Sequence, residues 1–173
     1  MPQFILNTPD RAPPAKRPHP YYALDDFAKG YVEALFFTNG DTGDEREGRL
    51  NEMGVERLTR ASVAKIKEDC DAFQAEHTGL LTLAYATGEY TPEQAGRDFW
   101  FTRQGHGAGF WDRGQLDDSR ALWRELGRPR IGEPGWDEYT RRKGPTLGEK
   151  LSGAAKAFGE CYVETWRGWV HVR

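Results

Sequence analysis

The sequence predicts a mostly helical α+β domain, with about five helices followed by a small C-terminal β-hairpin. Apolar residues recur at helical spacing in several segments, capping residues stand before those segments, and the last dozen residues alternate as two short strands. The chain of 173 residues has the size of one domain, and six Trp, seven Tyr and nine Phe compensate for its few aliphatic residues. We therefore expect a single globular domain over residues 21–173.

A proline-rich segment precedes this domain. Residues 1–20 contain six of the ten prolines in the chain. Proline has no backbone N–H and resists helix formation, so we expect residues 1–20 to form an extended arm.

The first three helices are predicted from stripes of apolar residues. One helix covers residues 24–37, with acidic residues in its first turn, where the helix dipole favours negative charge. A longer stripe follows a polar loop and begins near Val55 or Thr59. The pair Thr78-Gly79 divides that stripe from a short helix over residues 80–87.

The fourth helix has a strong start signal in Thr91-Pro92-Glu93-Gln94. Threonine is a good N-cap, proline suits the first helical position, and Gln94 has the spacing of a capping box. The helix is expected to run from Pro92 to about Arg103, with Gly105 after its end.

The last third of the chain combines an irregular insertion with two regular elements. The insertion covers residues 117–145 and begins with a short helix over residues 117–126. Thr146 is the expected cap of a final helix that Gly159 ends. The hairpin turns at Arg167-Gly168, which sets Trp166 opposite Trp169 and Val163 opposite Val172.

Composition and charge narrow the classes of function. The formal net charge is -3, and residues 97–173 hold fourteen Lys and Arg against eleven Asp and Glu. That excess is too small to predict binding of double-stranded nucleic acid, although it permits a compact anionic ligand. Cys70 and Cys161 are far apart, and neither a secretion signal nor an apolar run of about 20 residues is found. These features favour a protein of a reducing cytoplasm without a membrane partner.

The candidate site lies in the stretch Asp98–Gly114, which is rich in glycine, aromatic rings and polar groups. Glycine gives up side-chain packing, so its repetition beside chemically active residues indicates a special backbone course. Flat indole rings can stack on a base, while guanidinium groups bind phosphate or carboxylate. The predicted ligand-binding residues are Trp100, Arg103, His106, Trp111, Asp112 and Arg113.

Two other interpretations of this stretch remain open. In the structural one, Asp98, Arg103, Asp112 and Arg113 form ion pairs that fix the loop. In the catalytic one, His106 acts as a general acid or base oriented by Asp112, in a small phosphodiesterase or nuclease.

Several features weigh against an enzyme. The four histidines lack metal-ligand spacing, so no metal site is predicted. The glycines follow a predicted helix and do not form GxGxxG after a strand, so no dinucleotide cofactor is expected. The stretch also lacks a nucleophile motif such as GxSxG. We therefore expect binding without catalysis and without a cofactor.

The motif Asp98-Phe-Trp-Phe-Thr-Arg-Gln-Gly-His-Gly-Ala-Gly-Phe-Trp-Asp-Arg-Gly114 resembles a family of small uncharacterised proteins of tailed bacteriophages. Further matching pieces are Leu24-Asp25-Asp26-Phe27, Asp69-Cys70-Asp71-Ala72-Phe73 and Leu147-Gly148-Glu149-Lys150-Leu151, so the resemblance covers most of residues 24–165. It implies an accessory protein that acts in the host cytoplasm, and it implies no catalytic residues. The proline-rich arm and the insertion depart from the family pattern.

The leading functional expectation is a non-enzymatic phage accessory protein that binds an anionic partner through the glycine-rich loop. The partner is either a nucleotide-like small molecule or an acidic protein surface. A further alternative is an inhibitor of a host protein that acts through residues 117–143, where the insertion adds aromatic residues and the basic group Arg141-Arg142-Lys143.

Overall fold

The computed structural model describes residues 17–39, 50–117 and 145–173, and it confirms the predicted fold class. The five α-helices of these residues are α1 Asp26–Thr38, α2 Arg60–Glu76, α3 Thr78–Tyr85, α4 Pro92–Arg103 and α5 Leu147–Ala157. Strands β1 Val163–Trp166 and β2 Trp169–Val172 form an antiparallel hairpin. In the part of the chain that is described, no helix is long and apolar enough to span a bilayer.

The predicted boundaries hold with small shifts. Residues 55–57 form a single 3₁₀ turn, so α2 starts only after its cap Thr59. The break between α2 and α3 falls at His77, whose N–H donates to Phe73 while its carbonyl accepts from Leu81. Thr78-Gly79 therefore lies inside α3. The predicted helix over residues 117–126, most of the insertion and most of the arm lie outside the described residues.

Capping follows the sequence at α4 and α5. The Thr91 hydroxyl accepts from the N–H of Gln94, as expected, while the Gln94 side chain donates to Asp98. At α5 the Thr146 hydroxyl accepts from the N–H of Glu149, and the Glu149 carboxylate accepts from the N–H of Thr146. This reciprocal capping box satisfies two N–H groups that the first helical turn leaves without an internal partner.

Helices α1 and α4 cross at very short range. A Cβ atom on Gly30 would collide with the carbonyl of Glu93, and one on Gly96 would collide with the carbonyl of Phe27. Each helix therefore needs a residue without a side chain at the crossing. The glycine-rich loop, residues 104–114, begins directly after α4. The contact between the two helices therefore positions the start of this loop.

Aromatic rings fill the core, as the composition indicates. Phe73 lies at the centre, with its ring centroid 4.2 Å from that of Phe99 and 5.8 Å from that of Phe110. Phe27 and Tyr31 of α1 pack on Phe99 at 5.9 and 5.6 Å. Phe110, which directly follows Gly109 in the glycine-rich loop, is therefore part of the main core.

The hairpin is attached to the start of α2. Leu58 forms a parallel bridge with Val170, and the N–H of Thr59 donates to the carbonyl of Val170. The Ser62 hydroxyl donates to that same carbonyl and accepts from the N–H of Val172. The register pairs Trp166 with Trp169 and Val163 with Val172, which confirms the predicted pairing.

Candidate functional site

The glycine-rich loop turns back on the helix that precedes it. Gly105 has a φ of 68°, and the N–H of His106 donates to the carbonyl of Phe101 at 2.9 Å. At Gly109 the φ is 147°, and a Cβ there would collide with the hydroxyl of Thr102. That hydroxyl accepts from the N–H of Phe110. The loop thus needs glycine at 109 because the backbone lies directly on α4.

The guanidinium of Arg103 is buried and its donors are occupied. Nε donates to the carbonyl of Gly159 at 2.8 Å, and Nη2 donates to that of Phe158 at 3.2 Å. Nη1 donates to the hydroxyl of Tyr31 and to Asp69, both at 3.0 Å. Arg103 therefore satisfies carbonyls just beyond the end of α5 and joins α1, α2, α4 and α5.

The surroundings keep this arginine charged. Burial lowers the pKa of Arg103, but the ionisable groups around it, among them the hydrogen-bonded Asp69, outweigh that effect and the net pKa is raised. Burial also raises the pKa of the Tyr31 hydroxyl well above its usual value. A neutral tyrosine and a charged arginine are therefore the stable pair, with Asp69 as the counter-ion.

Arg113 is held by Asp98. Its Nε lies 3.0 and 2.9 Å from the two carboxylate oxygens, and its Nη2 lies 2.6 Å from one of them. The carboxylate is fully buried and also accepts from the Tyr90 hydroxyl at 2.7 Å and from Gln94 at 3.0 Å. The bond to Asp98 raises the pKa of Arg113, and burial and then Asp98 raise that of Tyr90. Hydrogen bonds thus satisfy this buried charge.

Trp100 of α4 and Trp111 of the glycine-rich loop have different environments. Trp100 is 0% exposed, packs edge-on against Tyr31 at 5.0 Å and donates from Nε1 to the Thr38 hydroxyl at 2.7 Å. Trp111 is 50% exposed. Only Trp111 presents its ring to solvent, and Trp100 belongs to the core.

His106 and Asp112 are exposed. The His106 ring lies edge-on to Phe101 at 6.0 Å. Among residues 17–39, 50–117 and 145–173, no carboxylate hydrogen-bonds its imidazole, and no cluster of three possible metal ligands occurs. The loop therefore presents His106, Trp111 and Asp112 outward, while Arg103 and Trp100 lie inside and Arg113 is half-buried.

A cavity of about 510 Å³ adjoins the loop between the ends of α4 and α5. Arg103 and Thr102 contribute to its wall on one side, and Lys156 and Glu160 contribute on the other. Arg113 does not line it. The two arginines of the sequence motif thus do not converge on one open concavity.

The hairpin carries a second surface that the sequence motif does not include. Directly opposite residues of an antiparallel pair lie on the same face, and successive pairs alternate between faces. The pairs Trp166–Trp169 and Glu164–His171 therefore share the outer face, while Val170 and Val172 point into the core. Trp166 is 56% exposed and Trp169 is 44% exposed.

Cationic groups lie over both exposed indoles. The guanidinium carbon of Arg167 is 4.3 Å from the ring centroid of Trp166, and that of Arg57 is 5.9 Å from that of Trp169. Both distances are within the range of cation–π attraction. We call the surface formed by Arg57, Trp166, Arg167 and Trp169 the tryptophan face.

The turn of the hairpin places Arg167 in an unusual backbone conformation. Arg167 has a φ of 50° and Gly168 a φ of 72°, the signs that a type I′ turn requires at both central positions. Asn or Gly is the favoured residue at the first position, and a long side chain there is uncommon. Arg167 therefore has a backbone conformation that is unfavourable for a long side chain, and its guanidinium lies over the ring of Trp166.

A groove of about 610 Å³ lies between the tryptophan face and the start of α2. Its lining includes Arg60, Thr59 and Leu58 from the α2 side, and no carboxylate of the described part of the chain contributes to it. In the described residues no acceptor is found for the N–H groups of Arg60 and Ala61 in the first turn of α2. The groove therefore combines indole rings, guanidinium groups and the positive end of a helix.

The two histidines of the groove wall have different roles. Nδ1 of His19 accepts from the N–H of Tyr21, so its Nε2 carries the proton and donates to the carbonyl of Leu58 at 3.0 Å. His19 thus fixes the start of the described chain. The ring of His171 lies 6.1 Å from that of Trp166, and its enclosed Nε2 has no partner among the described residues.

Comparison with family models, with curated proteins and with solved structures gave no match. The description of both surfaces therefore depends on the contacts within this chain. The sequence signal for the tryptophan face is the hairpin turn itself, Trp166-Arg167-Gly168-Trp169, in which two indoles flank a cation.

Proposed function

We propose that this protein is a non-enzymatic accessory protein, of the phage class that its sequence resembles, which acts in the host cytoplasm by binding an anionic partner. The contact surface in this proposal is the groove at the tryptophan face. The observation that carries it is the lining of this groove, which contains arginine and exposed indole and, among residues 17–39, 50–117 and 145–173, no carboxylate.

The glycine-rich loop is a less suitable site for an anion than the groove. An anion at the loop would need guanidinium groups with free donors, but Arg103 donates to four groups of its own chain and Arg113 is held by Asp98. Releasing Arg113 would leave the fully buried carboxylate of Asp98 without its counter-ion, which costs about 3–5 kcal/mol. Releasing Arg103 would break four buried or half-buried hydrogen bonds, although Asp69 would keep its ion pair with Lys65. Arg60 lines the groove and has no ion pair among the described residues, so an anion could bind it without that cost.

A nucleotide-like small molecule fits the groove better than an acidic protein surface does. A protein surface of standard size covers about 800 Å² on each partner, whereas a concavity of several hundred Å³ suits a compact ligand. Indole rings add stacking for a flat ring, and the cations suit its phosphate groups.

Calorimetric titration with a panel of nucleoside mono-, di- and triphosphates and inorganic polyphosphate tests the proposal. We expect at least one anion to bind, with at least a five-fold loss of affinity in Arg60→Ala and no loss in His106→Ala. A loss confined to His106→Ala would move the site to the loop. The absence of any anion binding would refute the proposal. Turnover of a phosphodiester that His106→Ala abolishes would favour the catalytic alternative.

A further inference from the structure

The arrangement of the two indoles points to a more specific ligand than an anion with a ring. Trp166 and Trp169 are directly opposite each other and share the outer face of the hairpin. The Cβ atoms of directly opposite residues lie about 5 Å apart. Two flat rings are thus presented side by side, both about half exposed.

Each indole also has a cation beside it. Arg167 lies over Trp166 and Arg57 over Trp169, so each ring is matched with a positive charge. A single nucleotide unit offers one flat base. Two exposed indoles on one face therefore indicate two consecutive units.

The start of α2 supplies a place for the phosphate that joins such units. Arg60 lines the same groove and lies in the first turn of α2, a helix of 17 residues, where no acceptor is found among the described residues for the N–H groups of Arg60 and Ala61. Backbone N–H groups at a helix start bind phosphate oxygens well. Here they lie beside stacking platforms in a concavity that already contains arginine.

We propose that the tryptophan face binds an unpaired nucleic-acid strand, with successive bases stacked on Trp166 and Trp169 and a phosphate at the start of α2. This inference rests on the proposed function, since it names the anionic partner of the same groove. Duplex nucleic acid keeps its bases stacked on each other, so their faces are not available to the indoles. An unpaired strand exposes them, and its backbone is free of the about 3.4 Å rise of the duplex.

The charges make a prediction about salt. Two arginines are counted here, Arg57 of the tryptophan face and Arg60 of the groove. Neutralising about two phosphates of a single strand gives a slope of about -1.4 for log Kobs against log salt concentration. The net charge of -3 for the whole chain adds no general attraction to a polyanion. Binding should therefore depend on the bases as well as on the phosphates.

Fluorescence anisotropy of a labelled 12-nucleotide oligo(dT), titrated with the full chain at several salt concentrations, tests the inference. A second arm uses the ribonucleotide counterpart, oligo(U). We expect binding in at least one arm, with at least a ten-fold loss in Trp166→Ala and in Trp169→Ala. Arg60→Ala should weaken binding and reduce the magnitude of the salt slope by about 0.7.

Trp111→Ala is the matched control, because Trp111 is as exposed as the hairpin tryptophans but lies in the glycine-rich loop. It should bind the strand as the native chain does. Circular dichroism shows whether each variant is folded, and Trp166→Phe, which keeps a ring, should retain more affinity than Trp166→Ala.

An abasic strand of the same length separates stacking from charge. Equal affinity for the abasic strand and for oligo(dT) would overturn the inference. Binding of polyphosphate or a free nucleotide without binding of either oligonucleotide would also overturn it, while the proposed function would stand. Failure of every anion to bind would refute both.

Discussion

Arg103, at the end of α4 where the glycine-rich loop begins, and Arg167 in the hairpin turn both lie over aromatic rings, at 5.3 Å from Phe99 and 4.3 Å from Trp166. The side chain of Arg103 is 3% exposed and donates to four groups of the protein, whereas Arg167 lies at the surface on an exposed indole. The same residue types thus build an internal network in one region and an outward surface in the other. Burial and hydrogen-bond partners distinguish the two regions, and residue type alone does not.

The tryptophans of the two regions give the largest expected contrast. Trp100→Ala removes a fully buried ring and its bond to Thr38, so we expect the free energy of unfolding to fall by about 3–5 kcal/mol. Trp166→Ala removes a half-exposed ring, and we expect a fall of no more than about 1 kcal/mol. Urea denaturation measures both. Equal losses would mean that the hairpin ring is part of the core.

Asp98 of α4 and Asp112 of the glycine-rich loop should differ next in their effect on stability. Asp98→Ala leaves Arg113 without its counter-ion and Tyr90 without its acceptor, so we expect a loss of about 3 kcal/mol. Asp112→Ala is the matched control, because this carboxylate is exposed, and it should change stability by less than about 0.5 kcal/mol. Thermal unfolding of both variants measures the difference. A small effect of Asp98→Ala would show that the network does not hold the loop.

Two glycines of the loop sharpen the comparison further. At Gly109 a methyl group would collide with Thr102, and the φ of 147° disfavours any side chain, so Gly109→Ala should cost about 2 kcal/mol. At Gly107 a methyl group meets open space, and Gly107→Ala should be nearly neutral. If denaturant midpoints show equal effects, the loop does not lie on α4 as described.

Stability should also decline in alkali, although no effect is expected near neutral pH. Burial raises the pKa of Tyr31 and of Tyr90, so both stay protonated in the folded protein after they ionise in the unfolded chain. Their stabilising effect is complete below pH 10, and each group loses up to about 1.4 kcal/mol per pH unit above it. Tyr85, with its pKa raised to about 12, should also ionise late. Tyrosinate absorbance, followed together with unfolding as the pH rises, measures this. Ionisation of all tyrosines near pH 10 in a protein that stays folded would contradict the expectation.

Local sequence signals predicted much of the fold. Thr91 and Thr146 cap the helices that they were expected to cap, and the hairpin pairs Trp166 with Trp169 as the alternation indicates. These features depend on contacts within a few residues. The break at His77 differs from the expected Thr78-Gly79 because Thr78 bonds back to Gln74 and continues as a helix.

The environment of the loop could not be predicted in the same way. The partner of Arg103 is Asp69, 34 residues earlier, and the carbonyls that it satisfies come more than 50 residues later. Spacing within Asp98–Gly114 carries no information about these contacts. The tryptophan face likewise depends on Leu58 and Arg60 meeting the hairpin, which only the tertiary structure brings about.

The start of α5 packs against residues 110–116, which come before residues 118–144 in the sequence. Gly148 lies so close to the carbonyl of Phe110 and the side chain of Leu116 that both borders of residues 118–144 are anchored next to each other. When two ends are already held side by side, doubling the length of the connection costs only about 0.6 kcal/mol. Counted at these two anchored borders alone, a connection of twice the length would therefore change the free energy of folding by only about that amount.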